Sequence, residues 1–177
     1  MRSTGILLGL VMMALVGCGT PQSAVRIETR AYLERSKGWA QIEAETARTI
    51  ERIFDTQFVD EAEVLRQIAD SRPRVLAHLA TLRAYQPRSD DIAGIHARYI
   101  VGWETLLTGY DAIEKGFGTG DYSNLARGRE ALTQWGNTIL ETAQELRELM
   151  RHFGIEPTGA VESRARDDDP HPSTQRT

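Results

Sequence analysis

Apolar side chains recur along most of this chain with the spacing of one helix face. In the first such stretch, the same face carries one residue at every heptad step: Val25, Tyr32, Trp39, Thr46 and Ile53. Charged residues fill the other faces, as in an amphipathic helix. The pattern predicts a long first helix over residues 24 to about 57, which Gly38 weakens but does not break.

A second helix is predicted over residues 60–85. Asp60 and Glu63 have the spacing of a capping box at its start. Its apolar stripe consists of Val64, Leu65, Ile68, Val75, Leu76, Leu79 and Leu82. Pro73 interrupts the stripe without changing its phase, which favours one helix kinked at Pro73. The alternative is two helices, the second capped by Ser71.

A third helix is predicted from residue 89 to about 115, with Ser89 as its N-cap. Its stripe consists of Ile92, His96, Tyr99, Trp103, Leu106, Tyr110, Ile113 and Phe117. Glycines recur beside this stripe at Gly94, Gly102, Gly109 and Gly116. Each glycine costs about 1 kcal/mol against alanine in a helix. We therefore expect a neighbouring helix to approach closely along this line.

Residues 116–120 form a turn by composition, and Asp121 can cap a fourth helix that reaches residue 153. Gly154 followed by Ile155 has the form of a Schellman stop. Residues 155–177 are polar and are predicted to be a disordered tail. No stretch alternates apolar and polar residues with period two. The sequence therefore predicts an all-α fold, an antiparallel four-helix bundle of long helices over residues 24–154.

The N-terminal segment has a different pattern. Arg2 is followed by an apolar run of about eleven residues ending at Val16, which is the length of a secretory signal and too short for a membrane span. The run ends in Leu15-Val16-Gly17-Cys18, which resembles the lipobox of bacterial lipoproteins at all four positions. The resemblance implies that Cys18 receives a diacylglyceryl group. It also implies cleavage just before Cys18 and acylation of the new N-terminus, with palmitate as the expected chain.

This resemblance divides the chain into a signal peptide (1–17), a lipidated tether (18–23), the helical body and the tail. The tether spans at most roughly 20 Å, so the body is expected to lie close to its membrane. Two or three acyl chains anchor a protein stably where one does not. Gly19 in place of aspartate implies the outer membrane of a two-membrane bacterium, on its periplasmic face, more than the inner membrane.

Composition narrows the classes of function. Cys18 is the single cysteine, which excludes disulfides within the chain and a cysteine-based metal site. The chain has 21 Lys and Arg against 25 Asp and Glu. This mildly acidic balance argues against a nucleic-acid partner, which asks for a basic patch. The four histidines lack the spacings of di-iron bundles and zinc proteases, so no metal and no cofactor is expected.

The most interesting side chains are His96, Tyr99 and Trp103, which share the stripe of the third predicted helix. They could line a pocket for a ligand, or His96 could be a core histidine bonded to a carbonyl or a tyrosine. The wider set of aromatics, which could line a pocket or simply form the core, is Tyr32, Trp39, Tyr99, Trp103, Tyr110 and Trp135. A non-covalent haem or metal site between His78 and His96 is a further possibility.

No motif in the sequence names a reaction, and an enzyme is not expected. The body resembles small all-helical envelope lipoproteins to which no activity is assigned. We expect a lipid-anchored, non-catalytic binding or scaffolding module of the cell envelope, held at the membrane and bound to an envelope protein. The alternative is a carrier or sensor of a small apolar ligand or haem near His96, Tyr99 and Trp103.

Overall fold

The computed structural model describes residues 22–54 and 60–156. All regular structure within these residues is α-helical, which confirms the all-α prediction. The helices are α1 (Gln22–Lys37), α2 (Ala40–Phe54), α3 (Glu61–Ala84), α4 (Asp90–Thr119) and α5 (Tyr122–His152). None of them combines the length and the apolar character that crossing a membrane requires.

The predicted N-terminal features fall outside this description. The signal peptide, Cys18 and all but the last two residues of the tether precede residue 22. The predicted tail likewise lies outside the described residues, except for its first two positions. These interpretations therefore remain predictions.

The single first helix predicted over residues 24–57 is wrong, because α1 ends at Lys37 and α2 begins at Ala40. Between them the Gly38 N–H donates to the Arg35 carbonyl at 3.1 Å, and the Trp39 N–H donates to the Ser36 carbonyl at 2.9 Å. These bonds span three residues and form a tight turn. Glycine favours such a break because it is a poor helix former. The five heptad residues are nevertheless all buried on both sides of the turn.

The helix α3 continues through Pro73, so the alternative with a second helix capped by Ser71 is wrong. Ser71 is buried, and its hydroxyl shares a 3.0 Å hydrogen bond with the Tyr110 hydroxyl on α4. The N-cap half of the predicted capping box is confirmed, because Asp60 accepts a hydrogen bond from the Glu63 N–H, whereas the Glu63 carboxylate accepts from Arg66 and Gln67. The stripe is buried or half-buried except at Leu76, whose side chain is exposed.

The helix α4 extends to Thr119, so its predicted end near residue 115 and the turn over residues 116–120 are wrong. Only Gly120 there adopts a left-handed φ, of 67°, and the Asp121 N–H closes the helix on the Gly116 carbonyl at 3.0 Å. Gly116 is required for packing: a Cβ there would lie 2.9 Å from the backbone nitrogen of Leu125. Asp121 caps α5 through the Ser123 N–H, as predicted.

The cap at the start of α4 differs from the prediction. The Ser89 side chain makes no capping hydrogen bond. Instead, the carboxylate of Glu28 on α1 accepts the N–H groups of Arg88, at 2.5 Å, and Ser89, at 2.8 Å. A carboxylate from α1 therefore stabilises the start of α4. The local sequence around Ser89 does not predict this contact, because Glu28 is about 60 residues away along the chain.

The glycines of α4 mark its contact with α5. A Cβ at Gly102 would meet Thr138 at 3.1 Å, and a Cβ at Gly109 would meet Ala131 at 3.1 Å. The expectation of close helix approach is confirmed at Gly102, Gly109 and Gly116. It is wrong at Gly94, where a Cβ would meet only the side chain of Arg98 one turn along the same helix, at 3.8 Å.

One apolar core joins the five helices. Its fully buried members include Ile68, Val75, Leu82, Ile92, Trp103, Leu106, Tyr110 and Leu132. At the end of α5, Gly154 has a φ of 59° and the Ile155 N–H donates to the Met150 carbonyl at 2.9 Å. This pattern confirms the Schellman stop.

Candidate functional site

The three candidate residues of α4 lie together on its buried face. The exposed fractions of His96, Tyr99 and Trp103 are 3%, 5% and 0%. Their spacing of three and four residues stacks them one turn above another. Rings from five other parts of the chain pack against them: Tyr32 of α1, Trp39 of the α1–α2 turn, His78 of α3, Tyr85 after α3, and Trp135 of α5.

Both ring nitrogens of His96 are engaged. Its Nε2 lies 3.0 Å from the Leu82 carbonyl, and its Nδ1 lies 3.1 Å from the Tyr32 hydroxyl. A carbonyl only accepts, so Nε2 carries the proton and the Tyr32 hydroxyl donates to Nδ1. Burial lowers the pKa of His96, which favours this neutral form. These bonds hold the ring as part of the core, since a ligand on either nitrogen would have to displace one of them.

Tyr99 connects the core with a charged residue. Its ring stacks on Trp39 with centroids 5.5 Å apart and an interplanar angle of 20°. Its hydroxyl donates a hydrogen bond to the carboxylate of Glu43 on α2. Burial, followed by the charge of Glu43, raises the pKa of Tyr99 above its ordinary value. Tyr99 therefore stays protonated and continues to donate this bond.

His78 is the second buried histidine, and its surroundings are apolar. Its ring lies 4.5 Å from the Trp103 ring, centroid to centroid, and packs near Trp39 and Tyr99. Its Nε2 has no hydrogen-bond partner among the described residues. Burial lowers the pKa of His78 from 6.5 to about 4, so the ring is neutral near pH 7.

A cleft of about 280 Å³ opens beside the α1–α2 turn. Trp39, Glu43 and Tyr32 line it on one side, Tyr99 and Ile95 belong to α4, and α5 supplies Ile139, Thr142, Ala143 and Leu146. Tyr99 is the one predicted site residue in its lining; His96 and Trp103 lie deeper, in the core. We refer to this space as the Trp39 cleft.

Sequence reasoning did not single out Glu43, and it named Trp39 only as one aromatic among six. Trp39 occupies a heptad step and directly follows Gly38. This glycine was the available signal, because a helix break there would have placed Trp39 at the junction of two helices. Glu43 lies one turn after Trp39, the spacing at which two side chains share a helix face. Its partner Tyr99 is 56 residues away along the chain, and no local pattern reports such a contact.

Two larger clefts, of about 590 and 570 Å³, lie at other places on the body. The first includes Phe54 in its lining and the second includes Gln22, and both residues are limits of described segments. The Trp39 cleft is smaller, but none of its lining residues is a limit of a described segment, and one of the predicted site residues, Tyr99, belongs to its lining. It is therefore the candidate site.

In the two described segments, no group of three or more His, Cys, Asp or Glu side chains is arranged to hold a metal ion. Trp39 packs against both histidines proposed as a haem or metal pair, with its ring centroid 6.1 Å from that of His78 and 5.9 Å from that of His96. Comparison with family models, curated proteins and solved structures finds no match to this chain. Its function is therefore argued from its own residues.

Proposed function

We propose that this protein is a lipid-anchored, non-catalytic binding or scaffolding module of the cell envelope. The observation that carries the proposal is Leu15-Val16-Gly17-Cys18 at the end of a short apolar run. The thiolate of a cysteine is the side chain suited to alkylation near neutral pH, and Gly17 leaves room beside it. The anchor would be held at the outer membrane, on its periplasmic face.

The distance between anchor and body supports this placement. Helix α1 begins at Gln22, four residues after Cys18. Even fully extended, so few residues span only about 15 Å. The helical body would therefore stand directly on the membrane surface, in reach of other proteins of the envelope.

Mass spectrometry of the membrane fraction tests the anchor. We expect the native protein to lack residues 1–17 and to carry a diacylglyceryl group and a further acyl chain on Cys18. A Cys18→Ser variant should accumulate as an unlipidated precursor that keeps its first residues. Unchanged processing of that variant, or native protein found free in the cytosol, would contradict the anchor.

Exposed apolar side chains support a protein partner. Val101 on α4 and Leu140 on α5 are 55% and 61% exposed, on the two helices that pack most closely. We expect crosslinking in intact cells to capture a specific envelope protein, and Val101→Ser with Leu140→Ser to reduce that capture. Leu76→Ser, at another exposed site on α3, is the matched control. Capture of nothing beyond what an unrelated lipoprotein of equal abundance captures would count against a scaffold.

The arrangement of helices belongs to the same proposal. We infer that α1 and α2 together form one leg of an antiparallel four-helix bundle, and that α3 bends at Pro73. Contacts between α4 and α5 run in reverse order along the chain, from Gly102 with Thr138 to Gly116 with Leu125. The α3–α4 contacts do the same, since Arg72 pairs with Asp111 and Arg83 with Glu104. Such a bundle offers long helix faces to a partner.

A carrier of a small ligand is the second candidate function, and the Trp39 cleft favours it. The apolar ligand or haem first considered near His96, Tyr99 and Trp103 would have to enter from this cleft, where Tyr99 lies. Because both nitrogens of His96 are already bonded, ligation of haem iron would break one of those bonds. We therefore expect no Soret shift when haem is added, and a shift that His96→Ala abolishes would reverse this expectation.

A further inference from the structure

The Trp39 cleft lies where the first helix breaks. The tight turn at Gly38 separates α1 from α2 and carries the Trp39 ring into the core, where it is 6% exposed. Tyr32, one heptad before Trp39, packs edge-on against it with centroids 5.4 Å apart. Tyr99 stacks on Trp39 at 5.5 Å. Three aromatic side chains therefore line one small space of about 280 Å³.

A carboxylate lies in the lining beside these rings. Glu43 is half-buried and accepts the Tyr99 hydroxyl, and no Lys, Arg or His of the described residues lies within ion-pair distance of it. The one cationic residue that lines the cleft, Lys37, is paired with a carboxylate of its own helix, because its Nζ lies 2.7 Å from Glu34. The cleft therefore carries one negative charge without a matching positive one.

Trp39 and Tyr99 stack on each other and are 6% and 5% exposed, so their rings act as an apolar wall of the cleft. The carboxylate of Glu43 is the group that attracts a cation, and Coulomb attraction is stronger at a half-buried position than in bulk water. The remaining walls are apolar, with Ile95 of α4 and Ile139 and Leu146 of α5. Rings, one carboxylate and aliphatic walls together match a cation that carries alkyl groups.

We propose that the Trp39 cleft binds a small organic cation, a quaternary ammonium compound or an alkylamine. The charged nitrogen lies beside the carboxylate of Glu43, and the alkyl part contacts Ile139 and Leu146. Sites for drug-sized ligands have volumes of about 300–1,000 Å³. The smaller volume of this cleft limits the ligand to about the size of choline. The inference rests on the carrier function proposed above and replaces its apolar ligand by a cation.

The experiment titrates the purified full-length chain, in a non-ionic detergent, with choline and with 3,3-dimethylbutan-1-ol. The second compound has the shape of choline, with a carbon atom in place of the charged nitrogen. Binding is followed by calorimetry and by tryptophan fluorescence, to which Trp39, Trp103 and Trp135 all contribute. We expect saturable binding of choline and at least tenfold weaker binding of the neutral alcohol.

Glu43→Gln removes the charge and keeps an oxygen that accepts the Tyr99 hydroxyl. We expect this variant to bind choline about tenfold more weakly, a difference of about 1.4 kcal/mol. Glu51→Gln, at an exposed position of the same helix, is the matched control and should bind choline unchanged. Far-UV circular dichroism establishes that both variants are folded.

Each outcome separates the two proposals. If the alcohol binds as tightly as choline, or if Glu43→Gln and Glu51→Gln bind choline equally, the cation inference is overturned and an apolar carrier remains. If neither compound binds, the cation inference is overturned and the Trp39 cleft no longer favours a carrier, while the lipid anchor and the scaffold stay open to their own tests. Should Glu43→Gln not fold, the comparison of choline with the alcohol on the unaltered chain still decides.

Discussion

Two histidines are buried within the same aromatic cluster, but their hydrogen bonding differs. His96 bridges α3 and α1 through the Leu82 carbonyl and the Tyr32 hydroxyl. His78 lies among Trp39, Tyr99 and Trp103 with its Nε2 unpaired in the described part of the chain. A buried polar atom without a partner is destabilising, and protonating that ring adds a buried charge. Burial lowers the pKa of both rings, and that of His78 falls to about 4.

The pKa of His78 predicts a loss of stability in mild acid. Its folded-state pKa of about 4 lies below the ordinary value of 6.5, so the unfolded chain binds the proton more readily. The stability that neutral His78 contributes is complete above pH 6.5 and is lost as the pH falls from 6.5 towards 4. We expect the free energy of unfolding to fall by about 2 kcal/mol across this window. Urea unfolding at a series of pH values measures it.

His78→Phe keeps a ring and removes the titrating group, so the fall between pH 6.5 and 4 should become shallower. His96, whose pKa burial also lowers, contributes to the fall that remains, as do Glu63 and Asp121, whose pKa values are lowered by hydrogen bonds. His152→Gln, at an exposed position, should leave the profile unchanged. An identical slope for His78→Phe and the unaltered protein would show that His78 does not titrate in this range.

The hydrogen bond between Tyr32 and His96 gives a second prediction at the level of one residue. Tyr32→Phe removes the hydroxyl and leaves the buried Nδ1 of His96 without a donor. We expect the free energy of unfolding to fall by about 1–2 kcal/mol, measured by urea unfolding at pH 7. Tyr122→Phe, at a residue that is 83% exposed, is the control and should change little. Equal stability of the two variants would contradict the role given to this bond.

At the scale of the element, the contact between α4 and α5 depends on small residues. Gly128 of α5 lies against Ile113 and Gly109 of α4: an added Cβ would lie 3.0 Å from the Gly109 carbonyl oxygen and 3.1 Å from the Ile113 backbone nitrogen. Backbone atoms cannot move aside as a side chain can. Gly136 lies on the same helix, and a Cβ there would meet nothing within 4 Å.

Replacing each of these two glycines by alanine is expected to change the stability of the protein in opposite directions. Gly128→Ala should destabilise the protein by about 1–3 kcal/mol, because two helices must separate to admit the methyl group. Gly136→Ala should stabilise it by up to about 1 kcal/mol, because alanine is the better helix former. Thermal unfolding of both variants tests the pair. A stabilising effect of both would mean that α4 and α5 do not approach as closely as described.

Pro73 gives a prediction for α3. It lacks the N–H that would donate to the Ala69 carbonyl, although the helix continues on both sides. Its side chain is exposed, so Pro73→Ala makes no cavity. We expect this variant to gain about 1–3 kcal/mol in the free energy of unfolding, measured with urea. Pro87→Ala, between α3 and α4, is the control and should not gain stability, because it has no such helical hydrogen bond to regain. A lower free energy of unfolding for Pro73→Ala would mean that the fold requires the proline.

The periodicity of the sequence predicted which residues are buried better than it predicted where helices end. Val25 to Ile53 keep their heptad register across the Gly38 turn, and burial alone does not report a break in the backbone. The composition predicted a turn at Gly116, but this residue lies inside α4. It is a glycine there because a Cβ would collide with Leu125. A glycine can serve in a turn or at a close contact between helices, and only the tertiary contacts distinguish the two cases.

For the candidate site, too, the sequence predicted what lies on one helix and not what tertiary packing brings together. His96, Tyr99 and Trp103 were placed on one buried face by their spacing along a single helix. Glu43 and its contact with Tyr99 depend on how α2 packs on α4, which joins residues far apart in the chain. Contacts of this kind follow from the tertiary arrangement and not from the local pattern.

At the scale of the whole molecule, the helices share one core and are tied at the surface by ion pairs. Pairs between neighbouring helices include Arg72 with Glu114, Arg74 with Glu45 and Arg98 with Glu145. Exposed pairs contribute little each, about 0–1 kcal/mol. The apolar core, in which residues of every helix meet, therefore carries most of the stability.

A shared core predicts that the body unfolds in one step. The chain has 3 Trp, and Trp39, Trp103 and Trp135 lie in that core on the α1–α2 turn, α4 and α5. Tryptophan fluorescence therefore reports on packing, while far-UV circular dichroism reports on all the helices. We expect the two urea unfolding curves to have the same midpoint and slope. If fluorescence changed first while most helical signal remained, the packing of the core would be lost before the helices unfold, and the prediction of one step would be wrong.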